Sequence, residues 1–177
     1  MTRQIPLIPA RASPDPRPVL HLRSWGWVRA RRRANEWPPP DHSGRAYTIM
    51  ANPRADFGER GDGYVPALVP QGQERDLLYQ LVRLRRTGAG VADDSALLVQ
   101  YRTALEARWA TLDLPASGLL VYHAAGLGRV QPGDTLCCAC SEVNALRGEC
   151  HRAWAAPLLA RAGWRVFLEG VEVVTGG

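Results

Sequence analysis

TLCCACSEVNALRGECHRAWAAPLLARAGWRVFL, residues 135–168, is the stretch on which the fold of this chain turns. Thr135 to Cys138 is a short apolar run that suits a buried strand. Residues 150–162 carry small and leucine side chains at helical spacing, and Trp164 to Leu168 is again a short strand-like run. A strand, loop, helix, strand succession implies a parallel pair. It predicts an α/β protein, a three-layer sandwich around a mostly parallel sheet. Pro157 stands inside the helical part, where a proline costs about 3 kcal/mol. The helix is therefore expected to begin nearer Trp154 or to kink at the proline.

Working upstream, Gln131-Pro132-Gly133-Asp134 is a turn, and Gly118 to Tyr122 reads as a buried strand ending near His123. Leu98, Tyr101, Leu105 and Trp109 line one face of a predicted helix over 95–111. Leu77, Leu78, Leu81, Val82 and Leu84 do the same over 73–86. Ala46 to Met50 reads as a strand entering a polar loop, NPRADFGERGDG at 52–63, and a short extended piece follows at 64–70.

The chain has 177 residues, enough for one domain, and is 46% hydrophobic, enough for a real core. No apolar run approaches the roughly 20 residues that span a bilayer, and the N-terminus lacks the apolar centre of a signal peptide. These features predict a soluble, cytoplasmic protein with no membrane contact, whose thiols are free or metal-bound rather than paired. All 22 basic residues are arginine, which excludes lysine Schiff-base chemistry and a P-loop lysine. Residues 1–45 carry nine arginines against Asp15, Glu36 and Asp41, hence +6 of the net +5, and the remainder sums to −1. Five prolines fall within residues 1–18. The expected organisation is an extended basic Pro/Arg-rich arm over 1–45 and an α/β domain over 46–177. Within the arm, 19–23 suits a short strand and 28–35 a short helix.

All four cysteines fall between positions 137 and 150. The predicted strand delivers Cys138 and Cys140 to the carboxyl edge of the sheet, where open α/β sheets bind ligands. Cys150, His151 and Arg152 open the following helix, whose free N–H groups favour an anion. That position lowers a thiol pKa, making Cys150 the candidate nucleophile. Arg152 is the candidate holder of a carboxylate or phosphate, and His151, Glu142 or His123 the candidate proton carrier. Arg54, in the loop after the strand at 46–50, can add to an anion pocket. The substrate expected on this reading is an anionic small molecule or nucleotide. Cys138, Cys140, Cys150 and His151 also match zinc in ligand type, although C-x-C-x9-C-H lacks two separated ligand pairs. The plainer alternative is that the cysteines are small buried hydrophobes. Cys137 alternates with Cys138 and is expected in the core.

LCCACSEVNALRGECHR followed by AWAAPLLARAGWRV resembles the C-terminal signature of a bacterial and phage family, domain of unknown function 488. Cys150-His151-Arg152 is the matching end. Cys138-Ala139-Cys140 is similar to a Cys-x-Cys pattern of a related family. YTIMANPR at 47–54 and the helix around Tyr101 extend the resemblance to about residues 45–170. The gap between Cys140 and Cys150 is longer than the family's, and Glu142 is offset from the family's glutamate. The resemblance implies an α/β fold with the Cys-His-Arg edge as active site, and no particular reaction.

The segment SWGWVRARRRANEW interleaves Arg29, Arg31, Arg32 and Arg33 with Trp25, Trp27 and Trp37. Guanidinium groups with stacking rings suit single-stranded nucleic acid, or an acidic protein surface.

Overall fold

The computed structural model describes residues 15–50, 62–87, 91–114, 118–140 and 142–174. Eight strands form one mixed, mostly parallel sheet: β1 (Val19–Ser24), β2 (Ala46–Thr48), β3 (Gly63–Tyr64), β4 (Leu120–His123), β5 (Gly126–Arg129), β6 (Thr135–Cys138), β7 (Arg165–Leu168) and β8 (Val171–Glu172). Their order is β5-β4-β3-β2-β6-β1-β7-β8. The central run from β3 to β7 is parallel, and the β4–β5 hairpin and β8 close the two edges antiparallel. Among the described residues five helices accompany it: α1 (Trp25–Arg33), α2 (Gly72–Thr87), α3 (Val91–Trp109), α4 (Glu142–Leu146) and α5 (His151–Arg161).

Strand alternation sorts the core into two parts. Leu20, Leu22, Leu136, Cys138 and Val166 share the larger cluster with Leu77 and Leu81 of α2, Tyr101 and Leu105 of α3, and Trp154 and Leu159 of α5. The side chains between them point the other way, where Cys137 and Ala46 meet Trp25 and Val28 of α1. Helix α1 starts at Ser24, whose hydroxyl accepts the Trp27 N–H at 3.1 Å. At the β3–β4 pairing the backbones approach so closely that a Cβ on Gly63 would lie 2.2 Å from the Tyr122 carbonyl oxygen.

The sequence expectations over 135–168 need two changes. β6 and β7 run parallel as expected but are not neighbours, because β1 lies between them. His21 faces Thr135 on one side, and Leu22 faces Leu168 on the other. Helix α5 runs through Pro157 from His151 instead of starting late. Gly163, at φ 97°, ends it and lets Trp164 N–H reach Leu159 O at 3.2 Å.

The proposed boundary at residue 45 is corrected by the same pairing. Residues 19–24 are a central strand and 25–33 a packed helix, so this part of the expected arm belongs to the domain. Residues 1–14 lie outside the described residues. A chain beginning at Ala46 loses Leu20 and Leu22, both fully buried, and leaves β6 and β7 without a common partner. It is expected to show no cooperative thermal transition by circular dichroism. A native-like transition in that truncation would restore the arm reading.

Candidate functional site

The parallel register gathers the site. Ser24 pairs with Cys138, Thr48 with Cys137, and Leu22 with Leu168. The ends of β1, β2, β6 and β7 therefore lie along one edge, and α5 begins above it. Cys138 ends β6 on the face of the larger core. Cys140 follows in a bend, and Cys150 precedes the first residue of α5. Their three Sγ atoms all lie within 4.8 Å of one another, and Cys138 Sγ is 3.3 Å from Cys150 Sγ. Cys137 faces the smaller core, with its Sγ 3.4 Å from Tyr47 O.

The thiols are not equivalent. Cys138 and Cys150 are each 1% exposed, whereas Cys140 is only partly buried. Three sulfurs this close do not all ionise. The charge favours Cys140, lowered by hydrogen bonds from the Cys138 and Cys150 thiols, with Arg152 adding a favourable field. Burial pushes Cys138 up. At Cys150 the Cys138 thiol lowers the pKa, but hydrogen bonding to Cys140 and burial outweigh it. Cys150 makes no side-chain bond to the helix N–H groups that the sequence reading relied on. Its sulfur turns toward Cys138, and the hydrogen bonding favours ionisation of Cys140 over Cys150.

Cys140 opens onto a cavity of about 230 Å³, walled by Met50, Leu78, Tyr79 and Val82, with Cys140 and His151 among its lining residues. The wall is almost wholly apolar. His151 Nε2 donates to Ile49 O at 2.7 Å, which ties the start of α5 to the end of β2. Burial lowers its pKa and keeps the ring neutral. His151 stands outside the group of sulfurs close enough to share an ion, so the expected four-residue ligand set reduces to three.

Arg152 is fully buried. Its Nη1 lies 2.7 Å from Glu169 Oε1, and its Nη2 donates to Cys140 O at 3.2 Å. The guanidinium therefore holds the Cys140 backbone and balances Glu169, in place of the expected substrate anion. Glu169 was not identified from the sequence. It follows β7 at φ 50°, a left-handed conformation uncommon for a residue with a side chain, and its carboxylate is buried against Arg152. A lone acidic residue just past an apolar closing strand was the available signal. Burial raises its pKa, while Arg152 and Arg23 lower it.

The other expected site residues fall elsewhere. Glu142 is exposed at the start of α4. Its charge acts on Arg23 and Glu169, and no hydrogen bond links it to the thiols among the described residues. His123 ends β4, separated from β6 by β3 and β2. Arg54 lies outside the described residues.

The Trp/Arg segment is built into the fold rather than displayed as an arm. Trp25 is 6% exposed. Arg23 lies 4.2 Å and Arg31 4.7 Å from the Trp27 ring, and Arg32 lies near Trp25 and Trp37 while pairing with Asp62 at 2.7 Å. The ring faces that a base would stack on already carry guanidinium groups. Arg29 and Arg33 are exposed on α1. Among the described residues, no helix is long and apolar enough to cross a membrane.

Comparison of the chain with protein-family models, curated proteins and solved structures gives no match.

Two outcomes test this geometry. Alkylation followed by peptide mapping is expected to find Cys140 modified first. Its rate should stay nearly level as pH falls from about 8 to about 6, where an ordinary thiol slows roughly tenfold per unit. A steep decline would place the thiolate elsewhere. Glu169→Gln leaves the Arg152 charge buried without its counter-charge and should cost about 3–5 kcal/mol in denaturant unfolding. A loss under about 1 kcal/mol would show that the pair is not buried as described.

Proposed function

We propose that the three-thiol cluster is the working centre of the protein and carries cysteine-dependent chemistry, with Cys140 as nucleophile and Cys150 as resolving thiol. The observation that carries this reading is one partly exposed thiol, hydrogen-bonded to two buried ones, at an apolar cavity. The resemblance of Cys150-His151-Arg152 to domain of unknown function 488 supports the same location. The three-layer arrangement expected from the sequence would place this edge where α/β proteins bind ligands.

The reaction class is thiol–disulfide exchange. The Cys140 thiolate attacks one sulfur of a disulfide substrate, the substrate S–S bond breaks, and one substrate thiolate leaves with a mixed disulfide remaining. Cys150 passes its proton to the departing thiolate and attacks Cys140 Sγ. That step expels the second substrate thiolate and forms a Cys140–Cys150 disulfide. Two electrons pass from the protein to the substrate. Cys150 is the better resolving group because the Arg152 charge favours its ionisation, whereas Cys138 is the more deeply disfavoured by burial. Arg152 acts as a positioning residue through the Cys140 carbonyl. The cavity wall favours an apolar or aromatic substrate body over the anionic small molecule or nucleotide expected from the sequence. A reducing, cytoplasmic setting would keep the thiols ready.

A second reading rests on the same distances. Three sulfurs within 4.8 Å suit a zinc ion whose fourth position faces the cavity. Reaction of the purified protein with an aromatic disulfide separates the two. Exchange predicts fast release of two substrate thiols per chain, one in Cys150→Ser with the mixed disulfide trapped on Cys140, and none at the fast rate in Cys140→Ser. Stoichiometric zinc in protein purified without added metal, with thiols that react only after chelation, would overturn exchange in favour of the metal reading.

A further inference from the structure

We infer that the open outer end of the sheet, β3 to β5 on the face that carries α1, binds single-stranded nucleic acid. The strand registers define one row of side chains across that face. Arg23 pairs with Cys137, Cys137 with Thr48, Thr48 with Tyr64, Tyr64 with Tyr122 and Tyr122 with Leu127. Residues directly opposite each other point to the same side of a sheet. Trp25 and Val28 of α1 cover the row at Cys137. Beyond β2 it comes into the open: Tyr122 is 43% and Leu127 58% exposed. Leu120, which shares their side two residues before Tyr122, is exposed as well. Behind them Val65 and Val121 are fully buried in the larger core, which also holds Cys138 and Cys150. The outer strands are therefore fixed from the back and present their front to solvent, on the side of the sheet away from the thiol cluster.

The front combines flat rings with positive charge. Tyr64 and Tyr122 stack with ring centroids 5.4 Å apart and 22° between their planes. Arg129 is exposed on β5 and pairs in register with Leu120, so it stands on the same face. Helix α1 borders the rings. Its Arg32 pairs with Asp62, directly before β3, at 2.7 Å. Trp27 and Arg31 form one flank of the helix, toward Arg23 of β1. Arg29 and Arg33, four residues apart and both exposed, form the opposite flank, on the side of β3.

The charge is of one sign. Helix α1 has four arginines and no acidic residue, and the stretch between Asp113 and Asp134, which contains β4 and β5, has no acidic residue either. Asp62 is taken by Arg32 and by the Ala46 N–H. A polyanion with flat ring faces meets both halves of this surface, phosphates with the guanidinium groups and unpaired bases with the tyrosines. A duplex keeps its base faces stacked on one another, which favours the single strand. This places the contact on the tyrosine face and not on the tryptophans of α1.

The test is titration of the full chain into a fluorescein-labelled oligothymidylate, read by fluorescence anisotropy. The expected result is saturable binding that weakens steeply as salt is raised. Tyr122→Ala should weaken it at least fivefold. Leu127→Glu, at a side chain outside the core, should abolish it with an unchanged circular dichroism spectrum. Arg29→Ala combined with Arg33→Ala should flatten the salt dependence. The inference is overturned by no saturable binding, or by wild-type affinity in both Tyr122→Ala and Leu127→Glu. It is equally overturned by a concentration-dependent dimer in sedimentation velocity that Leu127→Glu dissolves, or by binding to anionic lipid vesicles in place of the oligonucleotide. None of these outcomes bears on disulfide exchange at Cys140.

Discussion

The backbone pairing of β1 between β6 and β7 is the constraint on which the rest of the molecule depends. Six residues, Val19–Ser24, hydrogen-bond to two strands that lie more than 100 residues later in the chain. That pairing sets which residues end at the carboxyl edge. It brings Cys138 beside Ser24 and carries Glu169 back toward the start of α5. It also divides the side chains of β1 between two jobs. Leu20 and Leu22 enter the larger core, while His21 and Arg23 reach the polar and aromatic cluster under α1.

At the site, electrostatics and position are joined through Arg152. The buried ion pair with Glu169 is not by itself a source of stability, because desolvation of both charges offsets their attraction. Its effect is one of placement. The same guanidinium holds the Cys140 carbonyl and contributes to the field at the sulfurs, so the thiol that faces the cavity is also the one whose ionisation is favoured. Cys150 stands at the start of the helix but turns its sulfur inward, toward Cys138, instead of to the helix N–H groups.

Local pattern made much of the last third legible. Thr135 to Cys138, the helix after Cys150 and the strand after Trp164 each announce themselves by a short apolar or helical period, and the four clustered cysteines already mark the sheet edge at which three of their sulfurs meet. Long-range pairing was not legible. VLHLRS alternates apolar with His21 and Arg23, so it does not read as the continuous apolar run typical of a buried parallel strand. His21 meets Asp41, His42 and Phe167, all beyond any local window, while Arg23 lies over Trp27 one helical turn on. The tryptophans misled for a related reason. Composition shows rings beside arginines, but only tertiary structure shows that the guanidinium groups already cover them. The Arg152–Glu169 pair and the stacked rings of His21 and His42 depend on residues brought together from distant positions, and sequence spacing does not name those partners.

The central place of β1 also bears on how the chain acquires its structure. The strand that the sheet is built around is made before both of its neighbours, which follow more than 100 residues later. At roughly 5–20 residues per second, synthesis leaves Leu20 and Leu22 without their partners for several seconds or more. Closing so long a loop before any pairing rewards it makes assembly slow for a domain of this size. During that interval an apolar segment with unsatisfied backbone groups is open to wrong partners. His21 and Arg23, alternating with the leucines, then act as gatekeepers that oppose strand-to-strand aggregation until β6 and β7 emerge.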